Sequence, residues 1–484
     1  MRLYFKHPLQ YLENHWLFIL VIYFLFIPGI ATSQEDFTGR TIDGYRGIWF
    51  ELNQKFPYGD KYSGGLGTYT AKHIPLAIYA PEVNKTFFVY GGTISEDSKH
   101  LLCMIGYYDH QKEVVGRPVV VYDKKGVDDP HDNPSLSIDS QGFIWVFISG
   151  RGRSRPGFIY KSNKPFDCSS FTQVQESEMT YPQPWFIPGS GFVYLFTKYT
   201  GVRELYFRTS LDGVNWTEDA KLAGIKEQGA ERSGHYQVSN RFDSKVSTFF
   251  NRHPDGNVDK RTDLYYLQTT DFGKTWTNVK GEVINLPLTE VANAARVVDF
   301  QAQGKNVYLK DLKFDAKGHP MCLYLTSNGH EPGPDNDPRE WRMSRWTGKK
   351  WTHSVITTSD HNYDMGSLIL QGKKWYLIAP TTDGPQRYGT GGEIDIWIST
   401  NQGKKWRLST PVSRYSRLNH SYMRAVVNGI APFQYFWADG NPDEQSKSNL
   451  YFGDLEGNTW QLPYTMNADE ETPSKLLLNS RAKN

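Results

Sequence analysis

The chain has 484 residues, enough for one large all-β domain or two ordinary ones. Lys and Arg number 54 against 52 Asp and Glu, a net charge of +2, which argues against nucleic acid or a polybasic membrane surface as a main partner. Aromatic residues make up 15% and glycines number 43, a composition that suits short strands joined by tight turns.

Taken in order, residues 1–33 read as an export signal. Arg2 and Lys6 supply a positive start, Trp16 to Ile27 is an almost unbroken apolar run, and Ala31-Thr32-Ser33 offers small residues for cleavage before Gln34. The run is short for a membrane span of about 20 residues. Glu13 and the long leading region keep an uncleaved anchor as the alternative. The expected mature protein is secreted or periplasmic.

From Gly44 to Met466 one pattern recurs: an apolar strand, a small polar turn with Gly, then a strand carrying Trp. Its strongest copies are T-S-L-D-G-V-N-W ending at Trp216, T-T-D-F-G-K-T-W at Trp276 and S-T-N-Q-G-K-K-W at Trp406. Looser copies end at Trp351 and Trp460, and variants run through Trp145 and from Phe314 to Pro320. The spacing approximates one four-stranded blade, and about 450 mature residues at that period give about seven. The predicted fold is therefore all-β, a seven-bladed β-propeller over residues 44–466. No stretch of convincing helical period interrupts it, and residues 467–484 read as a polar, disordered tail.

The stretch Asp129 to Pro156 joins scaffold to chemistry. Ser137 to Phe147 reads as a hairpin around an Asp-x-x-Gly turn. His131, Asp132 and Asn133 precede it, and Arg151, Arg153 and Arg155 follow it. Clustered polar side chains at strand ends are how a propeller presents a site, although an Asx turn beside a solvated basic loop explains the same residues. The three cysteines, Cys103, Cys168 and Cys322, include no C-x-x-C, so neither a thiolate zinc site nor a disulfide is expected.

Longer strings carry a family likeness: G-Y-R-G-I-W from Gly44, K-Y-S-G-G-L-G-T-Y-T-A-K-H-I-P from Lys61, H-D-N-P from His131, G-H-Y-Q from Gly234, D-H-N-Y-D-M-G-S from Asp360, G-P-Q-R-Y-G-T-G-G-E from Gly384 and N-H-S-Y-M-R from Asn419. With these the chain resembles the BNR-repeat seven-bladed propellers, a group that includes ulvan lyases and propeller α-L-rhamnosidases. The resemblance implies a lyase site in which His131 and Tyr181 are the acid and base, Arg203 neutralises a uronate, with Lys198 the less favoured match, and Tyr236 is a further active-site tyrosine. Asn133, Arg151, Lys198, His235, His420, Tyr422 and Arg424 are the expected substrate-binding residues. Where those lyases carry a second His, this chain has Arg151, which could serve a second anion such as a sulfate ester or tighten the grip on the uronate. Some relatives hold zinc with Cys and His. The Cys positions are absent here, though His235 and His253 remain, so no cofactor is expected and a structural zinc or calcium is left open. The rhamnosidases place a catalytic His on the opposite face, matched by His73.

The chemistry needs those residue types. Removing the weakly acidic C5 proton of a uronic acid requires a neutralised carboxylate, a base such as neutral His or ionised Tyr, and an acid for the oxygen leaving C4. A glycosidase would instead need two carboxylates across the bond, and nothing in the sequence pairs Glu290, Asp364 and Glu393. Asp360, His361 and Asp364 are a weak metal signal. The expected function is an eliminase, lyase or dehydratase, on glucuronic or iduronic acid in a rhamnose-containing sulfated polysaccharide such as ulvan. An exo-acting α-L-rhamnosidase using His73 and a non-catalytic glycan-binding propeller are the alternatives. In each case the expected partner is a glycan, anionic for the eliminase, with neither nucleic acid nor membrane.

Overall fold

Short runs of aromatic and β-branched residues between Gly, Asn and Asp dictate strands, and strands are what this chain forms. The computed structural model describes residues 35–65, 72–95 and 100–477. Among these, helix is confined to four 3-10 turns of three residues each. The segment read as an export signal lies outside the described residues.

Five four-stranded antiparallel sheets follow one another, each a meander in chain order. Their first strands are Pro134–Ile138, Thr180–Ile187, Gln237–Phe242, Asn306–Phe314 and Ser367–Gln371. A five-stranded sheet starts with Asn419–Ala425, and a nine-stranded sheet is built on Gly47–Glu51, Lys85–Gly92 and Leu102–Asp109. The first strands of successive sheets touch one another, so the sheets stand around an axis that those strands line. This is a β-propeller.

The ring closes by pairing early with late strands. Gly47, Ile48 and Trp49 pair with Ser448, Lys447 and Ser446. Residues expected in a disordered tail take part as well: Glu470–Glu471 pairs with Val115 and Gly116, and Ser474–Leu476 pairs with Thr459–Gln461. The domain therefore runs past Met466. It also begins before Gly44, since Thr41 bridges Val119 and Phe37 donates its amide to Asp123. The reason is the same at both ends: an unpaired strand edge is covered by whatever backbone reaches it.

The repeated turns explain the repeated sequence. In the copy ending at Trp216, Asp212 Oδ1 accepts from the amides of Val214 and Asn215, both at 2.8 Å, and Ser210 Oγ accepts from Gly213 N at 2.8 Å. Asp271 and Asn401 do the same for the amides of Thr275 and Lys405, each at 2.9 Å. The glycines at 213, 273 and 403 sit at φ of 76°, 84° and 77°, which a side chain would disfavour. The tryptophans then cross to the preceding sheet: Trp216 packs on Phe147 and Trp276 on Phe207, 5.1 Å between centroids for the latter.

Those turns also locate the site. They join first to second or third to fourth strands, and in a meander both kinds of turn leave from one end of the sheet. The other end carries the second-to-third loops and the entries to the first strands. Arg151 to Pro156, Thr200 to Arg203 and His253 to Arg261 are all second-to-third loops. All three cysteines are free and buried.

Candidate active site

Asp129 organises one side of this mouth. It caps the turn Pro130–Asp132, with Oδ1 accepting from His131 N at 3.0 Å and also binding His131 Nδ1. Its Oδ2 receives Arg151 Nη1 and, at 2.7 Å, Arg155 Nη2. Arg155 reaches on to Asp132 at 2.7 Å, and Lys124 pairs with the same carboxylate at 2.8 Å. Burial pushes His131 well below the ordinary imidazole value, and the charges of Arg151, Arg203 and Arg155 push it further. With two carboxylates already facing three cations, a further positive charge on the imidazole is disfavoured. His131 is thus neutral, with Nδ1–H donated to Asp129 and Nε2 the basic nitrogen. Burial would raise the Asp129 carboxyl, but Arg151 and Arg155 hold it below its usual value.

Tyr181 faces His131 because its strand is broken on purpose. The pairing register shifts between Thr180 and Gln183, and Tyr181 takes φ of 57°, a conformation rare for a bulky residue. The bulge swings the ring inward, to centroid distances of 5.6 Å from His131, 5.6 Å from Tyr236 and 5.7 Å from His73. Burial pushes the Tyr181 phenol well above its ordinary value. Its hydroxyl meets no protein partner at good hydrogen-bond distance and angle, but lies close enough to Tyr236 to favour that group's ionised form.

Arg203 completes the group. It comes off the loop after Gly191–Lys198 and lies over Tyr199 at 5.4 Å and Tyr236 at 5.9 Å. Its Nε is buried without a partner, and no carboxylate among the described residues pairs with it. Burial would raise the Tyr236 phenol, yet Arg203 and Arg261, the Tyr181 hydroxyl and Lys61 outweigh it and the phenol ionises below its usual value. His131, Tyr181, Arg203 and Tyr236 therefore converge, as the sequence reading required, with Arg151 at their edge.

Other expected residues do not join them. Lys198 points to Asp219, 3.0 Å away. His235 is a scaffold residue: Nδ1 lies 2.9 Å from Asn251 O and Nε2 accepts from Ile225 N at 3.0 Å. Both nitrogens are then committed, so His235 has no lone pair for a zinc ion and the pair with His253 does not fit one. Among the described residues no group of three or more His, Cys, Asp and Glu is placed to hold a metal. Asn133 is buried with its amide oxygen against Gly91. His420 lies between sheets, accepting from Trp437 Nε1 at 2.9 Å. The Tyr422 hydroxyl binds Ser63 O inside the core, and Arg424 sits with Asp311 and Lys313 toward the opposite mouth. His73 is fully buried, with Nε2 bonded at 3.0 Å to His131 O, and so supports the His131 turn. Arg151 binds Asp129 through Nη1 and leaves its side chain 37% exposed at the edge of the mouth. Asp364 and Glu393 are likewise occupied, by Gly391 N and by Ser416.

Residues that sequence reading passed over complete the site. Asp129 was legible as the acid two places before His131. Tyr199 and Arg261 carry no local signal; Lys61 and Tyr62 stand at the head of a family string and His253 at a remnant zinc position, but their place in this site depends on three separate segments coming together. Lys61 and Asp259 pair across two of those segments. The ring of Tyr62 lies 4.8 Å from Tyr363, and His253 meets Tyr236 at 4.8 Å.

Fold and site together define a class: a β-propeller that carries, at one mouth, an uncountered guanidinium beside a neutral imidazole and two phenols. The profile of the BNR repeat-containing family matches residues 87–359, and the chain belongs to that family. It is 26% identical over 329 residues to the ulvan lyase of Nonlabens ulvanivorans, covering 59% of this chain and 65% of that one. It is 21% identical over 360 residues to the ulvan lyase of Alteromonas sp. (strain LOR), covering 66% and 72%. The chain thus spans 65%, just under two thirds, of the first relative's length. Among solved structures, a PL25 ulvan lyase bound to -[GlcA(1-4)Rha3S]- superimposes with a TM-score of 0.63 at 16% identity, over 85% of this chain and 95% of that chain. A further PL25 ulvan lyase structure gives 0.65 at 15% identity, over 92% and 99%. These likenesses concern the fold.

Proposed function

We propose that this protein is a polysaccharide lyase that cleaves ulvan-type chains by β-elimination at a uronic acid, leaving a 4,5-unsaturated end. The observation that carries the reading is Arg203, a guanidinium without a carboxylate partner set among His131, Tyr181 and Tyr236. A half-buried cation of this kind calls for an anion, and a substrate carboxylate supplies it. Arg203 then stabilises both the bound uronate and the enediolate-like charge that grows as C5 loses its proton. Neutral His131 and the phenols of Tyr181 and Tyr236 are the proton-transfer groups. The relatives' names, ulvan lyase in each case, point the same way.

The reading includes a seven-bladed propeller, each of the larger sheets being one blade, and an exported mature chain, supported by the apolar run after Lys6. Because Arg203 does the neutralising, no divalent ion is required, and chelator treatment is expected to leave turnover unchanged. The direct test is to follow ultraviolet absorbance of the unsaturated product on ulvan. Release of free rhamnose without absorbance, or binding without either, would replace the reading.

A further inference from the structure

Arg203 is not the only guanidinium here without a carboxylate. Arg261 is 5% exposed, buried below the same tyrosines. Its Nη2 donates to the Tyr363 hydroxyl at 2.6 Å and its Nε to Val258 O at 3.0 Å, and among the described residues no carboxylate lies within ion-pair distance. Asp259, two residues away, is bound to Lys61. The Arg261 guanidinium carbon stands 4.5 Å from the Tyr308 ring centre, 5.0 Å from Tyr236 and 5.1 Å from Tyr363. A fully charged group so placed is costly unless an anion forms near it. When a uronate occupies Arg203, that guanidinium is shared with substrate, whereas Arg261, buried beneath, is not.

We propose that Arg261 is a positioning residue that holds Tyr236 as a phenolate, making Tyr236 the base and Tyr181 the acid of the elimination. This rests on the lyase reading above. The Tyr236 oxygen takes the C5 proton. The C5–H electron pair becomes the C4=C5 double bond, the C4–O bond breaks, and the departing oxygen takes the Tyr181 proton. Tyr236 is then neutral and Tyr181 a phenolate, and neutral His131, its ring 5.6 Å from that of Tyr181, carries one proton from the first hydroxyl to the second and restores the starting state. The two rings lie 5.6 Å apart, in an edge-on arrangement. Both Tyr236 and Tyr181 have the environments this requires: cations outweigh burial at the first, and burial prevails at the second.

The charged and titratable groups facing Tyr236 are Arg203, Arg261 and Lys61, which favour its phenolate, Lys72, whose ammonium form burial disfavours, Tyr181, Tyr62 and Tyr363, and neutral His253. The experiment is carbon NMR of the full-length protein labelled at tyrosine Cζ, titrated without substrate, beside pH profiles of kcat and KM on ulvan oligosaccharides. One tyrosine should titrate below the others in the wild type and vanish in Tyr236→Phe. In Arg261→Gln it should move up by about 1 to 3 pH units, the effect of losing an adjacent opposite charge. The acid limb of kcat should move by the same amount, activity should return at high pH, and KM should stay within about twofold. Arg261→Lys, which keeps the charge, should retain the low-titrating signal. No low-titrating tyrosine in the wild type, or a loss of kcat in Arg261→Gln that is equal at every pH, overturns the proposal. Should Arg261→Gln fail to fold, the comparison of wild type, Tyr236→Phe and Arg261→Lys still decides it. A low-titrating Tyr236 with no unsaturated product would leave this assignment of charge standing and refute the lyase reading instead.

Discussion

The Asp129 carboxylate spends its two oxygens on different tasks, one fixing the tautomer of His131 and the other tying down Arg151 and Arg155. Replacing it with Asn keeps the shape and removes the charge. Asp129→Asn is expected to lower kcat more than it raises KM, because imidazole orientation is lost while Arg203 is untouched. His131→Ala removes a proton-transfer group outright and should lower turnover by about 10² to 10⁴ with substrate still bound, checked by product absorbance and by calorimetric titration. Arg203→Ala should damage both binding and turnover. Arg203→Lys should recover little, since a point charge cannot present the planar fork to a carboxylate. Retention of full activity in His131→Ala would move the chemistry elsewhere in the mouth.

At the scale of the turn and strand, the repeat is a packing device as much as a signature. Trp276 is 2% exposed and lies across Phe207 of the preceding sheet, so it welds two sheets that share no hydrogen-bonded ladder. Trp276→Ala should cost about 3 to 5 kcal/mol and lower the denaturant midpoint, with kcat per folded molecule kept, because the box turns sit at the end away from the site. The same repeat made the fold legible. Asp212, Asp271 and Asn401 announce their turns within eight residues, and the Gly and Trp follow from local geometry. What remained hidden is long-range. His131, Tyr181 and Tyr236 could be assigned from strings around each, but nothing near Arg261 tells that its guanidinium meets Tyr236, Tyr308 and Tyr363 from three different sheets and loops. His420 and Arg424 show the converse: their string is distinctive, yet His420 turns between sheets to Trp437, and past the register shift after Ser421 Arg424 turns toward Asp311 and Lys313.

At the scale of the molecule, a propeller keeps its mouth in shape only if the ring stays shut. Here the closure is double. Ser446–Ser448 pairs with Gly47–Trp49, and the last described residues add a second clasp through Glu470–Glu471 on the first sheet and Ser474–Leu476 on the last. Arg117 extends the clasp, its amide donating to Asp469 O at 3.0 Å and its guanidinium to Ala468 O at 3.1 Å. Each net hydrogen bond is worth about 1 kcal/mol, and ordering each residue costs about the same or more, so the second clasp adds only a small surplus. A chain ending at Met466 should therefore fold, with stability lower by about 1 to 4 kcal/mol, read as a reduced denaturant midpoint. Its KM should be near that of the full chain, because the site draws on the second, third and fourth of the sheets in chain order and on the segment around Lys61, none of which contacts the clasp directly. An unchanged midpoint would show that the pairing at Gly47 closes the ring alone. A rise in KM with the midpoint preserved would show instead that the clasp reaches the mouth.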